Sequence, residues 1–485
     1  MACKGTASDS TKRKKSIGKA TNNKPVVEQE SQKKDAINQL QVADKLQPSS
    51  DLFANTTTTS MASALPIWGA SNILTQKKDL PWSADSNGKL CYSKEVDNGK
   101  GAVLFWVTED LEREAPTTLA GAAALAVIDA FDIRAACMHL IYAAHAAQLE
   151  QPWEQEFVID DRQIEDYLGL KKRTDKNKQQ KLALIKEIAQ QPCHITTFIS
   201  WPAQGRVKGF TVSETRLWNM LEIQHHYESN LFGTQDLIGL TFRVKAGYWA
   251  KYFLNEQGRE DLSSYCQIGS LSKTLVEDVM GVWQKREGAT RLMIWLLFKT
   301  KVDIKHPLLV KTLMEIAYGS QKVEAARANN RLRNKLANTW DEDLLILHEK
   351  GWQLQFHAET YYSEIRPPAF GRSDRPRPHS FFEQLLSAQI WIGTPESFNQ
   401  TMLTSNKDSN STNSQSILNK VKTYYITNGL DVRALRTKNR WTQRQLASLT
   451  GISQSLIHLI EKDQRSITPE NQEILERVLV QNCKL

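Results

Sequence analysis

No C-x-x-C pair occurs among the six cysteines of this 485-residue sequence, which stand singly at Cys3, Cys91, Cys137, Cys193, Cys266 and Cys483. Scattered cysteines suit a reducing compartment and speak against a zinc centre. A G-x-x-x-x-G-K-[ST] loop is missing too, and GKG near Lys100 is no substitute, so self-powered strand separation is not expected. The most apolar run, Leu119 to Ala147, is interrupted by Asp129, Asp132 and Arg134, which makes it a buried soluble helix rather than a membrane span. The opening MACKGTASDSTKRKK carries charge but no apolar h-region, which argues against secretion and for the cytoplasm.

What is present favours a polyanionic partner. The net charge is +8 and the pI near 9.0, while a hydrophobic content of 40% suffices for several packed cores in a chain of this length. Residues 1–100 read as a basic, polar, disordered arm, poorest in large apolar groups over the first 60 or so positions. TKRKK near Thr11 reads as a solvated tail that helps hold DNA non-specifically, in preference to an import signal. GAVLFWVT, from Gly101 to Thr108, is the first strand. Two polar breaks follow, RPPAFGRSDRPRP at 366–378 and TSNKDSNSTNSQS at 404–416. They bound a linker over 368–416 that contains one short amphipathic helix, HSFFEQLLSAQIWIG.

Between arm and linker an element order repeats. A long helix from Leu119 to Leu149, a short capped one ending at Gly169, and KQQKLALIKEIAQQ lead into the strands HITTFISWPA, VKGFTVSETRLWNMLEIQHH and GLTFRVKAG. Some 150 residues later come GATRLMIWLLFKTK, LVKTLMEIAYGS and one long basic-faced helix, with WQLQFHAETYYSEIRP as the hairpin. Helix, helix, helix, hairpin is the winged-helix order, so modules are expected at 101–258 and 259–367, serving as a clamp on duplex DNA. In the first, Lys171, Lys172 and Arg173 form either a solvated turn or a DNA contact. The second carries Arg327, Arg331, Arg333 and Lys335 with Asn329, Asn330 and Asn334 between them, the inventory for phosphates and base edges.

At the far end, WTQRQLASLTGISQSLIHLIEKD spans Trp441 to Asp463. Thr442 can cap a helix lined by Leu446, Ala447 and Leu449, Gly451 supplies the turn, and Ser453 can cap a second helix that buries Ile457 and Ile460. Two short helices crossing at a glycine turn make a helix-turn-helix, flanked by helices near 431–438 and 468–479. The spacing of Arg436, Thr442, Gln443, Leu446, Ala447, Gly451, Ser453, Gln454, Ile460 and Glu461 resembles the Cro/C1 repressor-type DNA-binding domain, here over 417–485. That resemblance implies an ion pair of Arg436 with Glu461, a phosphate-holding Gln443 that also steadies Gln454, and base contacts from Gln454, Ser455 and Leu459, with Arg444 and His458 beside them. Leu459 can instead pack inside the domain.

The twin modules resemble plasmid replication initiators built from two winged helices, of the cyanobacterial-plasmid kind, although the common versions lack a Cro/C1 tail. The resemblance implies a protein that binds origin repeats on double-stranded DNA and recruits host machinery, an initiator ATPase and a replicative helicase, with a homodimer as a further candidate. A transcriptional regulator that binds an operator through the C-terminal domain is the alternative. Catalysis is not expected, and neither a cofactor nor a metal. His225 and His226 are adjacent, and His139 and His145 six apart, so neither pair suits the metal of a rolling-circle nickase. Tyr424, Tyr425, Tyr361 and Tyr362 read as packing, and Asp341, Glu342 and Asp343 as solvated charge. The fold class expected is mainly α with small β-hairpins: two tandem winged helices and an all-α helix-turn-helix.

Overall fold

The structure, a computed structural model, describes residues 46–111, 116–229, 234–302, 306–373 and 377–395. Towards the C-terminus it describes 432–433, 436–437, 441–462 and single positions as far as 478. The chain divides into two compact units, residues 1–401 and 402–485, each described here by itself.

The first unit opens with strand β1 (Thr58–Ala62) and helix α1 (Leu65–Gln76), in which Pro66 occupies the first turn, where its missing N–H costs nothing. Ten of the twelve α1 residues are buried, so this helix lies inside the protein rather than on it. Strands β2 (Ser83–Ala84), β3 (Leu90–Val96) and β4 (Gly101–Val107) follow. An arm over residues 1–100 is therefore corrected: from residue 46 the chain is packed, and positions 1–45 lie outside the described residues. Gly69 of α1 permits the closest approach, since a Cβ there would stand 2.3 Å from the Phe105 ring of β4.

The helix expected from Leu119 to Leu149 is two, α2 (Gly121–Ala130) and α3 (Ile133–Ala146). Asp132 divides them because its carboxylate caps α3, accepting from the Arg134 N–H at 2.9 Å. All fourteen residues of α3 are buried. Then come β5 (Glu156–Asp160), α4 (Asp161–Tyr167) and α5 (Lys178–Gln190), the last two opened by capping boxes from Asp160 with Gln163 and Asn177 with Gln180. Strands β6 (Ile195–Trp201) and β7 (Phe210–Arg216) belong to an antiparallel five-stranded sheet in the order β2-β3-β4-β6-β7, not to the wing as expected. The wing is β8 (Trp218–Ser229) with β9 (Gln235–Ala246), and β5 pairs on the other side of β9. Helix α3, strand β5, helices α4 and α5, strands β8 and β9 thus complete the first winged helix.

Strand β10 (Ile268–Ser272) returns to pair with β1, and α6 (Lys273–Val282) and α7 (Glu287–Val302) lead into the second module. It continues with β11 (Leu308–Leu309), α8 (Val310–Tyr318), α9 (Ser320–Ala328), α10 (Asn330–Glu349) and β12 (Gln353–Phe356). The expected single basic helix breaks at Asn329, whose side chain caps α10 by accepting from the N–H groups of Arg331 and Leu332. The expected hairpin is corrected as well. The partner of β12 is β13 (Gln389–Gly393), reached through α11 (Phe381–Ser387), and the sheet order is β11-β13-β12. Phe381, Phe382, Leu385 and Leu386 of α11 are buried, so the first part of the expected linker is core of module two; the tether at 404–416 lies outside the described residues. The expected fold class holds, with one larger sheet added to its hairpins.

Both modules share one core through α1. On one side its Ile67 carbonyl lies 3.0 Å from His139 Nε2 of α3, and Trp218 Nε1 donates to His139 Nδ1 at 2.8 Å. Because Nδ1 accepts, Nε2 is the protonated nitrogen of a neutral ring, and burial takes this imidazole down to about 4. On the other side the Trp68 ring stacks on Phe298 at 6.1 Å and meets Trp295 at 6.0 Å, both from α7. Replacing Ile73 of α1 by Ala should cost about 2–5 kcal/mol, and a chain begun at Gly101 should lose cooperative unfolding in urea. An unchanged midpoint for Ile73→Ala would remove α1 from the core.

Candidate nucleic-acid interface

In module one, α5 follows the short helix α4, occupying the recognition-helix place. Its Leu182, Ile185, Ile188 and Ala189 are buried, while Lys178, Gln179, Gln180, Ala183 and Glu187 are exposed. The expected basic turn is partly committed. Lys171 pairs with Asp166 at 3.1 Å and Arg173 with Asp175 at 2.7 Å, whereas Lys172 is exposed and makes no ion pair among the described residues. Such exposed pairs add little, so a phosphate can replace the carboxylate. The wing is joined to α5 where Lys186 Nζ lies 3.2 Å from His225 Nε2; His226, on the opposite face of β8, reaches Thr241 Oγ1 at 2.8 Å.

In module two, α10 presents Arg331, Leu332, Asn334, Lys335 and Asn338 to solvent along its first half, and buries Ala337, Trp340, Leu344 and Leu347. The expected four-cation stripe divides in two. Arg327 donates to Glu383 of α11 at 2.7 Å and to Glu324 at 3.1 Å, pairs that hold its guanidinium charged well beyond the usual range. Arg333 turns inward and donates to the Arg327 carbonyl at 2.6 Å, closing the C-terminal end of α9. Arg331 and Lys335, one turn apart, remain outward with Asn334 and Asn338 beside them. Asn338 and Leu332 were missed in the sequence, although the four-residue step from Asn334 to Asn338 was there to be read.

Asp341 and Asp343 are not the solvated charge expected of them. Both are buried, and burial takes each carboxyl up to about 6, against the opposing pull of Arg377 and Arg372 on Asp341 and of the Tyr318 hydroxyl on Asp343. Arg377 Nη2 donates to Asp341 at 2.6 Å and Tyr318 to Asp343 at 2.7 Å, so these acids brace the root of the recognition helix. Glu342 between them is exposed and pairs with Arg286.

The C-terminal unit has its own core of Val432, Leu446, Ile452, Ile457, Ile460 and Leu475. Its two central helices are α12 (Gln443–Thr450) and α13 (Gln454–Glu461). Thr442 caps α12 in a capping box with Gln445, Gly451 ends it in the left-handed region at φ 71°, and Ser453 caps α13. Arg436 clasps Glu461 through both oxygens, at 2.6 and 2.9 Å, as the resemblance implied. Gln443 donates to the same carboxylate at 2.7 Å. For Glu461, burial would raise the carboxyl, but the hydrogen bonds from Arg436 and Gln443 outweigh it and hold it below the ordinary range. Gln454, Ser455, His458 and Arg444 are exposed, Leu459 is half-buried, and Leu449, expected inside, is 52% exposed.

Residues 432–479 match the Helix-turn-helix family, which is of the Cro/C1 type. The C-terminal unit carries a DNA-binding helix-turn-helix. That match covers 48 of 485 residues and says nothing of the modules before it. No curated protein matches the sequence. Two crystal structures of domains 2 and 3 of RctB are similar in fold: a selenomethionine derivative at 7% identity over 60% of this chain and 92% of that one, TM-score 0.30, and another at 8% over 55% and 81%, TM-score 0.26. The likeness is too distant to carry a role across. Among the described residues no helix is long and apolar enough to cross a membrane.

Two expectations follow from the charges. Replacing Arg331 and Lys335 together by Ala should flatten the plot of log affinity for DNA against log salt by about 0.9 for each phosphate no longer neutralised, while Arg327→Ala should leave the slope nearly unchanged; equal slopes for both would take α10 off the DNA. Because the folded Glu461 carboxyl lies below its unfolded value of about 4.3, its contribution to stability is complete above that pH and lost as pH falls through the folded value. The methyl NMR signals of Ile457 and Ile460 should therefore shift to unfolded positions on acidification, and Glu461→Gln should remove that pH dependence while weakening the fold at neutral pH.

Proposed function

We propose that this chain initiates plasmid replication by binding repeated sites at an origin and recruiting host replication proteins, with no covalent chemistry of its own. The reading is carried by one observation: twice on one core a helix, a short strand and further helices lead to two strands that close a three-stranded sheet in the same order, β5-β9-β8 and β11-β13-β12, with β6 and β7 inserted in the first module and α9 and α11 in the second, and each time a polar and basic helix stands exposed in the recognition position. Its work is binding energy. Phosphate contacts from Lys172, Arg331 and Lys335 set the register on the duplex, and the amides of Asn334, Asn338 and Gln454 discriminate bases. Double-stranded DNA is the partner this inventory suits, and the cytoplasm, on the nucleoid or on a plasmid, is the place. The host ATPase and helicase, and a second copy of the chain, complete the proposal.

The Cro/C1-type unit, with a core of its own, favours a second reading: a regulator acting on an operator. Footprinting distinguishes the two. An initiator should protect a long array of direct repeats beside its own gene, and that DNA together with the gene should sustain a plasmid in a suitable host. Protection of a single short palindrome, with no replication, would leave the regulator.

A further inference from the structure

Two DNA-reading modules on a flexible joint tolerate many spacings between their sites, because the joint supplies reach at little cost. The joint in this chain is of another kind. Helix α1 touches α3 of module one through Ile67 and α7 of module two through Trp68. Just beyond α1, Asp79 pairs with Arg291 of α7 at 2.8 Å, and that arginine side chain is only 6% exposed. Asp79 also fills the turn between α8 and α9, where a Cβ on Gly319 would lie 2.6 Å from its carboxylate. Strand β1 pairs with β10 along its whole length. Lys273 of α6 reaches Asp166 of α4 at 3.1 Å, and the Arg134 guanidinium of α3 lies 4.5 Å from the ring centroid of Trp283. Turning one module against the other breaks several of these interactions at once.

The geometry points to a ruler: Asp79, Arg291 and Trp68 are positioning residues that hold recognition helices α5 and α10 at one offset, so that the protein selects duplex DNA by the distance between two sites as well as by their bases. The inference deepens the DNA-binding reading above and depends on it. A buried arginine between two carboxylates suits such a part, since an ion pair out of water is directional and is not exchanged for solvent at low cost.

The test uses the full chain with spin labels introduced as unnatural amino acids at the exposed acidic positions Glu187 of α5 and Glu349 of α10, neither of them a DNA contact, together with the footprinted duplex. The label-to-label distance should be single and narrow, and the same with and without DNA. Inserting about five base pairs, half of the roughly ten-pair helical turn, between the two protected sites should lower affinity about 100-fold or more. In Asp79→Asn the distance should broaden and the penalty for the insertion fall to about tenfold or less, with Asp79→Glu restoring part of both. Should Asp79→Asn fail to fold, Lys273→Met, at a more exposed pair across the same joint, should shift both readouts in the same direction. A broad distance in the unaltered chain, or tight binding that ignores the insertion, overturns the ruler alone. Failure to bind any duplex overturns the DNA reading and the ruler with it.

Discussion

The burial of α1 between α3 and α7 organises the first unit. A helix with protein on every side has no solvent face, so its sequence need not alternate, and LPIWGASNILTQ does not. Three of the polar side chains it takes inside are satisfied within the helix, Ser71 and Thr75 donating to the carbonyls one turn back and Gln76 to Asn72, whereas the buried indole N–H of Trp68 has no hydrogen-bond partner among the described residues. His139 meets the backbone of α1 as a neutral ring, which avoids placing a charge where it could not be solvated. The five-stranded sheet then closes over the open side through Phe105 against Gly69.

Local signals in the sequence were readable where chemistry is local. Thr442, Gly451 and Ser453 stand at the cap and turn positions assigned to them, because a hydroxyl at an N-cap and a glycine at positive φ answer to their own neighbours. The helical periods of the two modules were readable for the same reason, but the strands that close each wing were assigned wrongly in both. Long-range pairing was hidden. Strand β13 lies far along the chain from β12, behind a proline- and arginine-rich stretch that reads as a break, and no period signals the partner. Helix α1 escaped notice because its twelve residues sit in a segment whose average composition is polar.

Charge was the least legible property. Arg327, Arg331, Arg333 and Lys335 look alike in sequence, yet one pairs with glutamates, one closes a helix end and two face outward. Asp341 and Asp343 look like surface acids and are struts. For Arg327 and Asp341 the deciding partner comes from a distant segment, Glu383 and Arg377 respectively, which composition cannot foretell. What stands outward after these internal commitments is a small set of amides and cations on the first half of α10, the turn before α5, and the exposed side of α13.

The pairing of β1 with β10 bears on synthesis. Thr58 finds its neighbour Ser272 only after the whole of the first winged helix has been made, and the α7 face that receives Trp68 is later still. During translation α1 must wait with its apolar sides uncovered, a long-range closure of the sort that slows folding and invites aggregation. In a nascent chain of this design the side of α1 that faces module two stays open until the ribosome has delivered α7.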